Sequence, residues 1–521
     1  MTARKSEYGA RQKVGLLLGV VLCALIVVLP QPEGLSESAQ RMGAVAALMA
    51  VWWITEATHI AVTSLLPLAL FPLFGIMPSS EVAPLYADHI VFLYIGGFII
   101  ALAMEKWNLH KRVALQTIRR VGTRPDRLIL GFMIATAFLS MWISNTATTM
   151  MMLPIAMAVV HQLAEVAEID GERNESTPDR IRTTFGLVLL LGIAYCASIG
   201  GVGTIIGSPT NVAFIGFTQQ RFPDFAPITF FDWSLVCVPI VIVFVPISWL
   251  YLCRFGGSIS VSRIRFASSQ SVIEDELRKL GPMSPPERTV LITASATALL
   301  WIFRSPISLG DFSLPGWSGL FARPSALHDA TVAIVAGVLL CLLPVNLSGG
   351  MQWKGRTERF VMDWQSIQSG IPWGIVLLFG GGFALAAGIE QTELARWLGS
   401  KMSALEGTPV WVLVPVACIV SVLLTETTSN IATVLMLSPV IAETAIEIGV
   451  HPYLLLIPAA IMASFAFMLP VATPPNAIVF GSGWVTIPGM FRAGVMLDLI
   501  ALAIVPLMVY LLGSLVFPFG G

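Results

Sequence analysis

Two short polar motifs interrupt long apolar stretches of this 521-residue chain. The first is Ser144-Asn145-Thr146, within 128–160, and the second is Ser429-Asn430-Ile431, within 409–446. Hydroxyl, amide and free carbonyl oxygens are hard ligands that suit an alkali cation. A polar centre is unfavourable in a continuous membrane helix, but it suits a re-entrant hairpin whose tip lies at mid-membrane. The motifs therefore predict two hairpins with cation-binding tips.

Each motif has a partner further along the chain, where proline ends an apolar segment. The partners are Ser208-Pro209-Thr210-Asn211 and Thr473-Pro474-Pro475-Asn476. Proline removes a backbone donor and ends the helix, which leaves free carbonyls and amides at the break. A helix N-terminus carries a partial positive charge that favours an anion. A hairpin tip beside such a break could hold cations and an anion side by side.

A simpler interpretation gives these residues only structural roles, since Ser, Thr, Asn and Pro are common in membrane helices as hydrogen bonders and kinks. An internal repeat argues against it. At an offset of 285 residues, Gly96-Gly97-Phe98 recurs as Gly381-Gly382-Phe383, and the first Ser-Asn pair coincides with the second. Beyond the hairpins the offset falls to 265, and the two Pro-Asn breaks coincide. Two related sites of the same kind indicate function.

Basic residues are absent from the stretches that carry these motifs, 128–172, 183–220 and 402–491. A bound anion would therefore have to be balanced by bound cations, amides and hydroxyls, which makes cation coupling physically sensible. Glu56 and Glu426 lie near apolar segments and could form a proton site. A structural hydrogen-bonding role near the end of a span or hairpin is the preferred interpretation for both.

The composition indicates which kind of structural element positions these motifs. Hydrophobic residues make up 56% of the chain and charged residues 12%, against about 25% charged in a soluble domain. A membrane span takes roughly 20 mostly apolar residues. The sequence predicts an all-α polytopic membrane protein with about eleven transmembrane helices, two re-entrant hairpins and inverted-topology repeats with broken helices. It therefore predicts an integral membrane protein in contact with the lipid bilayer.

Several function classes are disfavoured. The net charge of −1 does not indicate the excess of basic residues that nucleic-acid binding requires. The sequence contains no Walker motif, nucleophile elbow, HExxH or paired-carboxylate pattern that would support an ATPase or a membrane enzyme. We therefore expect a protein that is not an enzyme. A channel remains an alternative, which an inverted repeat with occluding hairpins disfavours.

The chain divides into four predicted segments. Residues 1–40 form an N-terminal segment with the first transmembrane helix, and 41–255 form repeat 1 with a hairpin at 126–163. Residues 256–286 form a cytoplasmic loop with one surface helix, and 287–521 form repeat 2 with a hairpin at 409–447.

The distribution of basic residues predicts that the repeats have opposite orientations. Seven Lys and Arg residues lie in 105–127, after the first Gly-Gly-Phe helix, but only two lie in 390–410, after the second. By the positive-inside rule the first loop is cytoplasmic and the second is not. With a cytoplasmic N-terminus and an external C-terminus, 24 of the 30 basic residues lie inside. Inverted repeats with broken helices are typical of secondary transporters.

These motifs resemble those of the divalent anion/sodium symporter family, whose members carry dicarboxylates, citrate or sulfate. The matching segments are SNTATTMMMLP, TETTSNIATVLMLSP, GSPTN and TPPNA, and the likeness spans nearly the whole chain. The resemblance implies a homodimer in a bacterial inner membrane. It also implies a scaffold region and a mobile transport region that work by an elevator-type movement.

The resemblance also implies particular site residues. A first sodium site would use Ser140, Ser144, Asn145 and Gly207. A second would use Thr425, Thr428, Asn430 and Ala472. The substrate would contact Ser144, Asn145, Thr146, Ser208, Asn430, Thr473 and Pro474. The chain departs from the family's full Ser-Asn-Thr motif at Ile431, where a hydroxyl is lost, so the carboxylate contact on that side and the preferred anion are open.

The expected function is that of a sodium-coupled symporter that imports a dianion, above all a C4 dicarboxylate such as succinate, malate or fumarate. The alternatives are a dicarboxylate exchanger and a sodium-coupled citrate or sulfate transporter. Two or more sodium ions would be coupled, and no organic cofactor is expected.

Overall fold

A computed structural model describes residues 9–122, 124–165, 167–169, 177–257, 260–266, 270–309, 312–346, 350–353, 355–401 and 407–517. The two ends of the chain and parts of the predicted loop 256–286 lie outside the described residues. Within the described ranges, β structure consists of antiparallel strand pairs of three residues each: Ala167–Ile169 with Ile264–Phe266, Ile307–Leu309 with Phe312–Leu314, and Met351–Trp353 with Arg356–Glu358. The rest of the regular structure is helical.

Eight helices in the described chain are long and apolar enough to cross a membrane, among them one arm of each hairpin. The prediction of an all-α polytopic membrane protein is therefore confirmed. The eleven apolar elements outside the hairpins are Ala10–Val28, Glu37–Thr55, Ile60–Leu73, His89–Lys106, Thr177–Gly201 with Pro209–Arg221, Phe230–Phe255, Pro285–Ile302, Asp329–Leu342, Trp373–Gln391, Tyr453–Met462 with Pro474–Phe480, and Ile487–Gly513. Shorter helices connect them: Ser79–Val82, Leu109–Val121, Gln270–Leu280, Trp364–Gly370 and Leu394–Ser400.

Two helix pairs occupy the predicted hairpin segments. Hairpin 1 consists of Pro125–Ser140 and Asn145–Ala164, and hairpin 2 of Val410–Thr425 and Asn430–Ile448. Their tips are the four-residue turns 141–144 and 426–429. The helical bounds lie within one residue of the predicted segments, and the re-entrant placement of the hairpins stays a prediction.

Two helices break after the hairpins, as the Pro-Asn motifs predict. The first, Thr177–Gly201, contains a π-helical turn at Arg182–Gly186 and resumes as Pro209–Arg221. The second, Tyr453–Met462, resumes as Pro474–Phe480. Proline occupies the first position of both resumed helices, where its missing N–H costs no helical hydrogen bond. The unwound stretches, 202–208 and 463–473, lie between the two halves of each broken helix.

The two Gly-Gly-Phe motifs lie in the helices His89–Lys106 and Trp373–Gln391, and their first glycines contact neighbouring helices closely. A Cβ atom at Gly96 would lie 2.6 Å from the backbone carbonyl carbon of Ala333. One at Gly381 would lie 2.5 Å from the carbonyl oxygen of Ser64. Because real Cβ atoms do not approach backbone this closely, these positions require glycine.

The second glycine of each pair contacts elements of the candidate site instead. A Cβ atom at Gly97 would lie 3.0 Å from the side chain of Ile206, in the first unwound stretch. One at Gly382 would lie 2.3 Å from the side chain of Leu435, in hairpin 2. The second glycines therefore contact different parts of the site, the first unwound stretch at Gly97 and hairpin 2 at Gly382.

The surface helices are anchored by ion pairs between distant segments. Lys111 pairs with Glu276 of the helix Gln270–Leu280 at 3.0 Å. Arg112 is buried and pairs with the buried carboxylate of Glu287 at 2.5 Å. These contacts hold Leu109–Val121 against the surface helix of the segment that separates the two repeats and against the first turn of Pro285–Ile302, where repeat 2 begins.

Lys106 joins the end of a Gly-Gly-Phe helix to the segment before Trp364–Gly370. Its ammonium group lies 2.7 Å from both Glu358 Oε2 and Asp363 Oδ2. Asp363 also accepts hydrogen bonds from the amide and the hydroxyl of Ser366. Burial alone would raise the pKa of Asp363, but the hydrogen bonds from Lys106 and Ser366 lower it from 3.8 to about 2.

We expect Asp363→Asn to lower the Tm in detergent at pH 7 by about 1–3 °C, a small effect because Asp363 is partly exposed. Asparagine still caps the helix, so the change isolates the charge. Since the native pKa lies below the unfolded one, the stabilisation is present above pH 4 and is lost as the pH falls from about 4 to about 2. The Tm gap between wild type and variant should close over that interval. Asp224→Asn, at an exposed acid outside this network, is the control, and an equal gap at pH 7 and pH 2 would contradict the assignment.

Candidate functional site

The first half-site lies where the tip of hairpin 1 meets the first unwound stretch. The hydroxyl oxygen of Ser140 lies 2.7 Å from Asn145 Oδ1 and 2.6 Å from the carbonyl oxygen of Ala197. A serine hydroxyl has one hydrogen and can donate to only one of these acceptors at a time. Three oxygens therefore share one proton, and Ser140 is fully buried. Such a surplus of acceptor oxygens suits a cation.

Further oxygens converge on Gly207. A Cβ atom at this residue would lie 2.6 Å from the carbonyl oxygen of Gly201 and 2.8 Å from that of Ser140. One at Gly201 would lie 2.3 Å from Asn145 Oδ1. The predicted residues Ser140, Asn145 and Gly207 are therefore brought together, and glycine at 201 and 207 allows the oxygens to approach.

The second half-site repeats the first. The hydroxyl oxygen of Thr425 lies 2.7 Å from Asn430 Oδ1 and 2.6 Å from the carbonyl oxygen of Ala463. Again one proton serves three oxygens. Thr428 is buried, and its hydroxyl lies 2.7 Å from that of Thr433. Ala472, which corresponds to Gly207, is buried, so this half-site accommodates a methyl group that the first could not.

Asparagines at the breaks hold both unwound stretches. Each amide nitrogen donates to two backbone carbonyls that the repeat relates to each other, so the two turns have the same shape. The bonds run from Asn211 to Gly201 and Thr204, both at 2.8 Å, and from Asn476 to Ala466 and Leu469, at 2.9 and 3.0 Å.

Four helices begin at the predicted substrate-binding motifs. Their N-cap residues are Ser144, Ser208, Ser429 and Thr473. The Ser144 hydroxyl accepts from the amide of Ala147 at 3.3 Å. At the tip of hairpin 1, Ser144, Asn145 and Thr146 are partly accessible, whereas Ser140 beneath them is not. The geometry thus places a buried oxygen cluster below accessible hydroxyls, amides and helix N-termini.

The two half-sites belong to one assembly because the elements cross over between repeats. Pro209–Arg221, which follows the first break, packs against Asn430–Ile448 of hairpin 2. Pro474–Phe480, which follows the second break, packs against Asn145–Ala164 of hairpin 1. Each unwound stretch thus lies between its own hairpin and a helix that contacts the other one. That a single dianion contacts residues of both half-sites, including Ser208, Thr473 and Pro474, stays a prediction.

The half-sites differ in hydroxyl content. Thr146 and Thr210 in the first correspond to Ile431 and Pro475 in the second. Ile431 and Pro475 are both buried. The side of repeat 1 is therefore the more polar one.

Glu426 has the structural hydrogen-bonding role that the sequence favours. It lies at the tip of hairpin 2 and is buried. Its two carboxylate oxygens accept hydrogen bonds from the amides of Met468, at 2.8 Å, and Leu469, at 3.1 Å. The carboxylate thus ties hairpin 2 to the second unwound stretch.

Sequence reasoning missed Asp498, which lies in the apolar helix Ile487–Gly513 and is buried. Its carboxyl group faces that of Glu426. The available signal was a single carboxylate in the middle of a strongly apolar helix, which is a functional candidate by default.

The sequence was compared with families and individual proteins. The family model described as "Sodium:sulfate symporter transmembrane region" matches residues 10–518. The sodium-dependent dicarboxylate transporter SdcS of Staphylococcus saprophyticus is 40% identical over 506 residues, which cover 97% of this chain and 92% of that protein. SdcS of Staphylococcus aureus is 39% identical over 507 residues, with the same coverage.

Solved structures show likeness of fold alone. The YdaH transporter of Alcanivorax borkumensis matches with a TM-score of 0.50 at 14% identity and covers 98% of both chains. MtrF of Neisseria gonorrhoeae matches with a TM-score of 0.52 at 13% identity and covers 96% of this chain and 95% of its own.

Proposed function

The chain belongs to the sodium:sulfate symporter family, and from this membership we propose that it is a sodium-coupled symporter that imports C4 dicarboxylates such as succinate, malate and fumarate. The resemblance to the divalent anion/sodium symporters is thereby confirmed. The protein is an integral membrane transporter and not an enzyme.

The observation that carries the proposal is the repeated oxygen cluster around Ser140 and Thr425. In each cluster a single hydroxyl proton is shared among three oxygens. Burying acceptor oxygens without donors is costly, and a bound cation removes that cost. Sodium is the cation because hydroxyl, amide and carbonyl oxygens without a carboxylate are weak ligands for a divalent ion. We assign the first sodium site to Ser140, Ser144, Asn145 and Gly207. We assign the second to Thr425, Thr428, Asn430 and Ala472.

The dianion binds above the sodium ions, at the helix N-termini and the partly accessible tip of hairpin 1. Its contacts are Ser144, Asn145, Thr146, Ser208, Asn430, Thr473 and Pro474, of which Ser208 and Thr473 are buried. No Lys or Arg occurs in the segments that form this site, 128–172, 183–220 and 402–491. Two sodium ions supply the charge that balances the two carboxylates, so sodium binding precedes tight substrate binding.

Two points favour a dicarboxylate over sulfate or citrate. The relatives that match 97% of the chain are named sodium-dependent dicarboxylate transporters. The two half-sites also differ, since Ile431 and Pro475 replace two hydroxyl residues. An extended C4 dicarboxylate can place one carboxylate at the hydroxyl-rich side and the other at Asn430 and the helix N-termini. The compact, symmetric sulfate ion has no two separate carboxylates to match two different sides.

Transport follows an elevator-type movement in a homodimer. Hairpins and broken helices form the moving part, and the remaining helices form the scaffold. The first loop of repeat 1 and the N-terminus lie in the cytoplasm, and the C-terminus lies outside, as the distribution of basic residues indicates. The membrane is a bacterial inner membrane.

Uptake of radiolabelled succinate into proteoliposomes tests the function. We expect saturable uptake with an inward sodium gradient, and loss of at least about 90% of it when choline replaces external sodium, because the sites then lack the cations that balance the anion. Unlabelled malate and fumarate should compete, whereas sulfate and citrate at equal concentration should not. Preloading the vesicles with succinate should not restore uptake in choline. Uptake that needs internal substrate and not sodium would show an exchanger, and competition by sulfate alone would show a sulfate carrier.

A further inference from the structure

A basic patch lies at the turn between the surface helix Leu109–Val121 and hairpin 1. Its members are the four exposed residues Arg119, Arg120, Arg124 and Arg127. The chain turns sharply among them at Gly122, whose φ is +121°. Arg127 folds back over this turn, since a Cβ atom at Gly122 would lie 3.3 Å from its Cδ atom. Basic side chains from both sides of the turn therefore share one patch, which we call the arginine turn.

The charges of the arginine turn are uncompensated. Within the part of the chain that the structure describes, none of its four side chains forms an ion pair or donates a hydrogen bond. Lys111 and Arg112, on the same surface helix, are in contrast paired with Glu276 and Glu287. Asp126 is the one acidic residue between 109 and 164, and it forms no ion pair with a described residue. Neighbouring like charges repel each other, so the patch favours an anion from outside the chain.

An apolar surface adjoins the arginine turn. The indole nitrogen of Trp249 donates to the carbonyl oxygen of Asp126 at 2.8 Å, so the end of the membrane helix Phe230–Phe255 lies beside the patch. Leu250 and Phe255, in the last two turns of that helix, are 58% and 60% exposed. Tryptophan is typical of the membrane–water interface, where an apolar ring and a polar N–H are both accommodated. The arginine turn therefore lies at the level of the lipid headgroups.

We propose that the arginine turn binds the headgroup of an anionic phospholipid, whose acyl chains lie against Leu250 and Phe255. Guanidinium groups form paired hydrogen bonds with phosphate oxygens, and groups of four or more basic residues beside a membrane helix attract anionic lipids. The exposed apolar side chains next to the patch favour a lipid over a soluble anion. Only the placement of this site on the cytoplasmic side rests on the proposed function.

The bound lipid lies where a fixed and a moving part of the proposed elevator-type mechanism join. The helix Leu109–Val121 is held to the segment between the repeats and to repeat 2 by Lys111 and Arg112. Hairpin 1 begins immediately after the turn, at Pro125. The arginine turn is thus the connection between them, and the lipid binds at that connection.

The Tm of the purified chain in detergent tests lipid binding without any measurement of transport. The probe is phosphatidylglycerol at increasing mole fraction in the micelles, with phosphatidylcholine as the neutral comparison. We expect phosphatidylglycerol to raise the Tm by about 3 °C or more and phosphatidylcholine to have no such effect, because a ligand of the folded state stabilises it. A variant in which glutamine replaces all four arginines should need about tenfold more phosphatidylglycerol for half the effect, since each basic residue adds to the attraction.

A matched variant removes four exposed basic residues elsewhere, by Arg278→Gln, Lys279→Gln, Arg396→Gln and Lys401→Gln. It should keep the wild-type response to phosphatidylglycerol. A second measurement locates the lipid. Phosphatidylglycerol with brominated acyl chains should quench more tryptophan fluorescence than brominated phosphatidylcholine does. Trp249→Phe, which keeps an aromatic ring, should lose that excess.

Several outcomes would overturn the inference. Equal responses of wild type to the two lipids would show that the arginines serve only to orient the chain in the membrane. An equal gain in Tm from soluble glycerol phosphate would show a free-phosphate site, and one from poly-glutamate would show a surface for an acidic protein segment. An unchanged response in the fourfold glutamine variant would exclude the arginine turn as the lipid site. Failure of wild type to take up succinate with sodium would refute the proposed function alone, because the lipid response of the Tm does not depend on it.

Discussion

Asn145→Ala and Asn430→Ala will each reduce sodium-driven succinate uptake at least about 100-fold, because each removes an oxygen from a sodium site and a polar contact of the substrate. Asn145 Oδ1 lies against Ser140 and Gly201, and Asn430 Oδ1 lies against Thr425. The hydroxyl that remains still has a carbonyl acceptor, at Ala197 or Ala463. Folding should therefore survive while sodium binding does not.

The measurement is the initial rate of uptake by each purified variant in proteoliposomes, with size-exclusion profile and Tm as checks of folding. Thr136→Ala and Thr444→Ala are matched controls. Each lies in one hairpin and loses only a hydroxyl bond to its own helix. Both controls should transport at close to the wild-type rate. Undiminished uptake by the two asparagine variants would contradict the assignment of both sodium sites.

Gly207→Ala and Ala472→Gly will have opposite outcomes although the repeat relates the two positions. The methyl group at 207 would lie 2.6 and 2.8 Å from two backbone carbonyl oxygens, of Gly201 and Ser140, which must move apart. We expect the sodium concentration for half-maximal uptake to rise about tenfold or more, since these oxygens line the first sodium site. Ala472→Gly only removes a methyl group and should change it by less than about threefold, a cost typical of added backbone freedom.

Sodium titrations of uptake at saturating succinate measure both effects. Gly481→Ala is the control, since a Cβ atom there would lie 3.4 Å from its nearest neighbours, an ordinary contact. Equal sensitivity at 207 and 472 would show that the two half-sites do not differ in backbone packing as described.

The sequence alone predicts the repeated parts of this protein well, because a feature that occurs at corresponding positions of both repeats is supported twice. Ser140 and Thr425 differ in type, yet the constant offset pairs them, and the structure gives them the same two hydrogen-bond acceptors. Asn211 and Asn476, which the repeat also pairs, likewise donate to corresponding backbone carbonyls, those of Gly201 and Ala466. Hairpins and breaks are local features, since proline and polar tips interrupt apolar helices wherever they occur.

Contacts that have no counterpart in the other repeat cannot be predicted in this way. Asp498 has no counterpart that marks it, and its relation to Glu426 depends on how a distant helix packs. Lys106 reaches Glu358 and Asp363 across about 250 residues of chain. The crossing of Pro209–Arg221 to hairpin 2, which unites the half-sites, is likewise a property of tertiary packing. Periodicity and spacing report on neighbours in sequence, not on these.

The second glycines of the Gly-Gly-Phe helices make the protein open to a particular kind of inhibitor. On the proposed elevator-type movement, the contacts of Gly97 with Ile206 and of Gly382 with Leu435 must slide, and both are tight: a methyl group would lie 3.0 Å from the Ile206 side chain at Gly97 and 2.3 Å from the Leu435 side chain at Gly382. A small apolar compound that inserted into either contact would arrest the movement without occupying the polar residues assigned to the substrate. Its inhibition would be non-competitive, with the same potency at low and at saturating succinate.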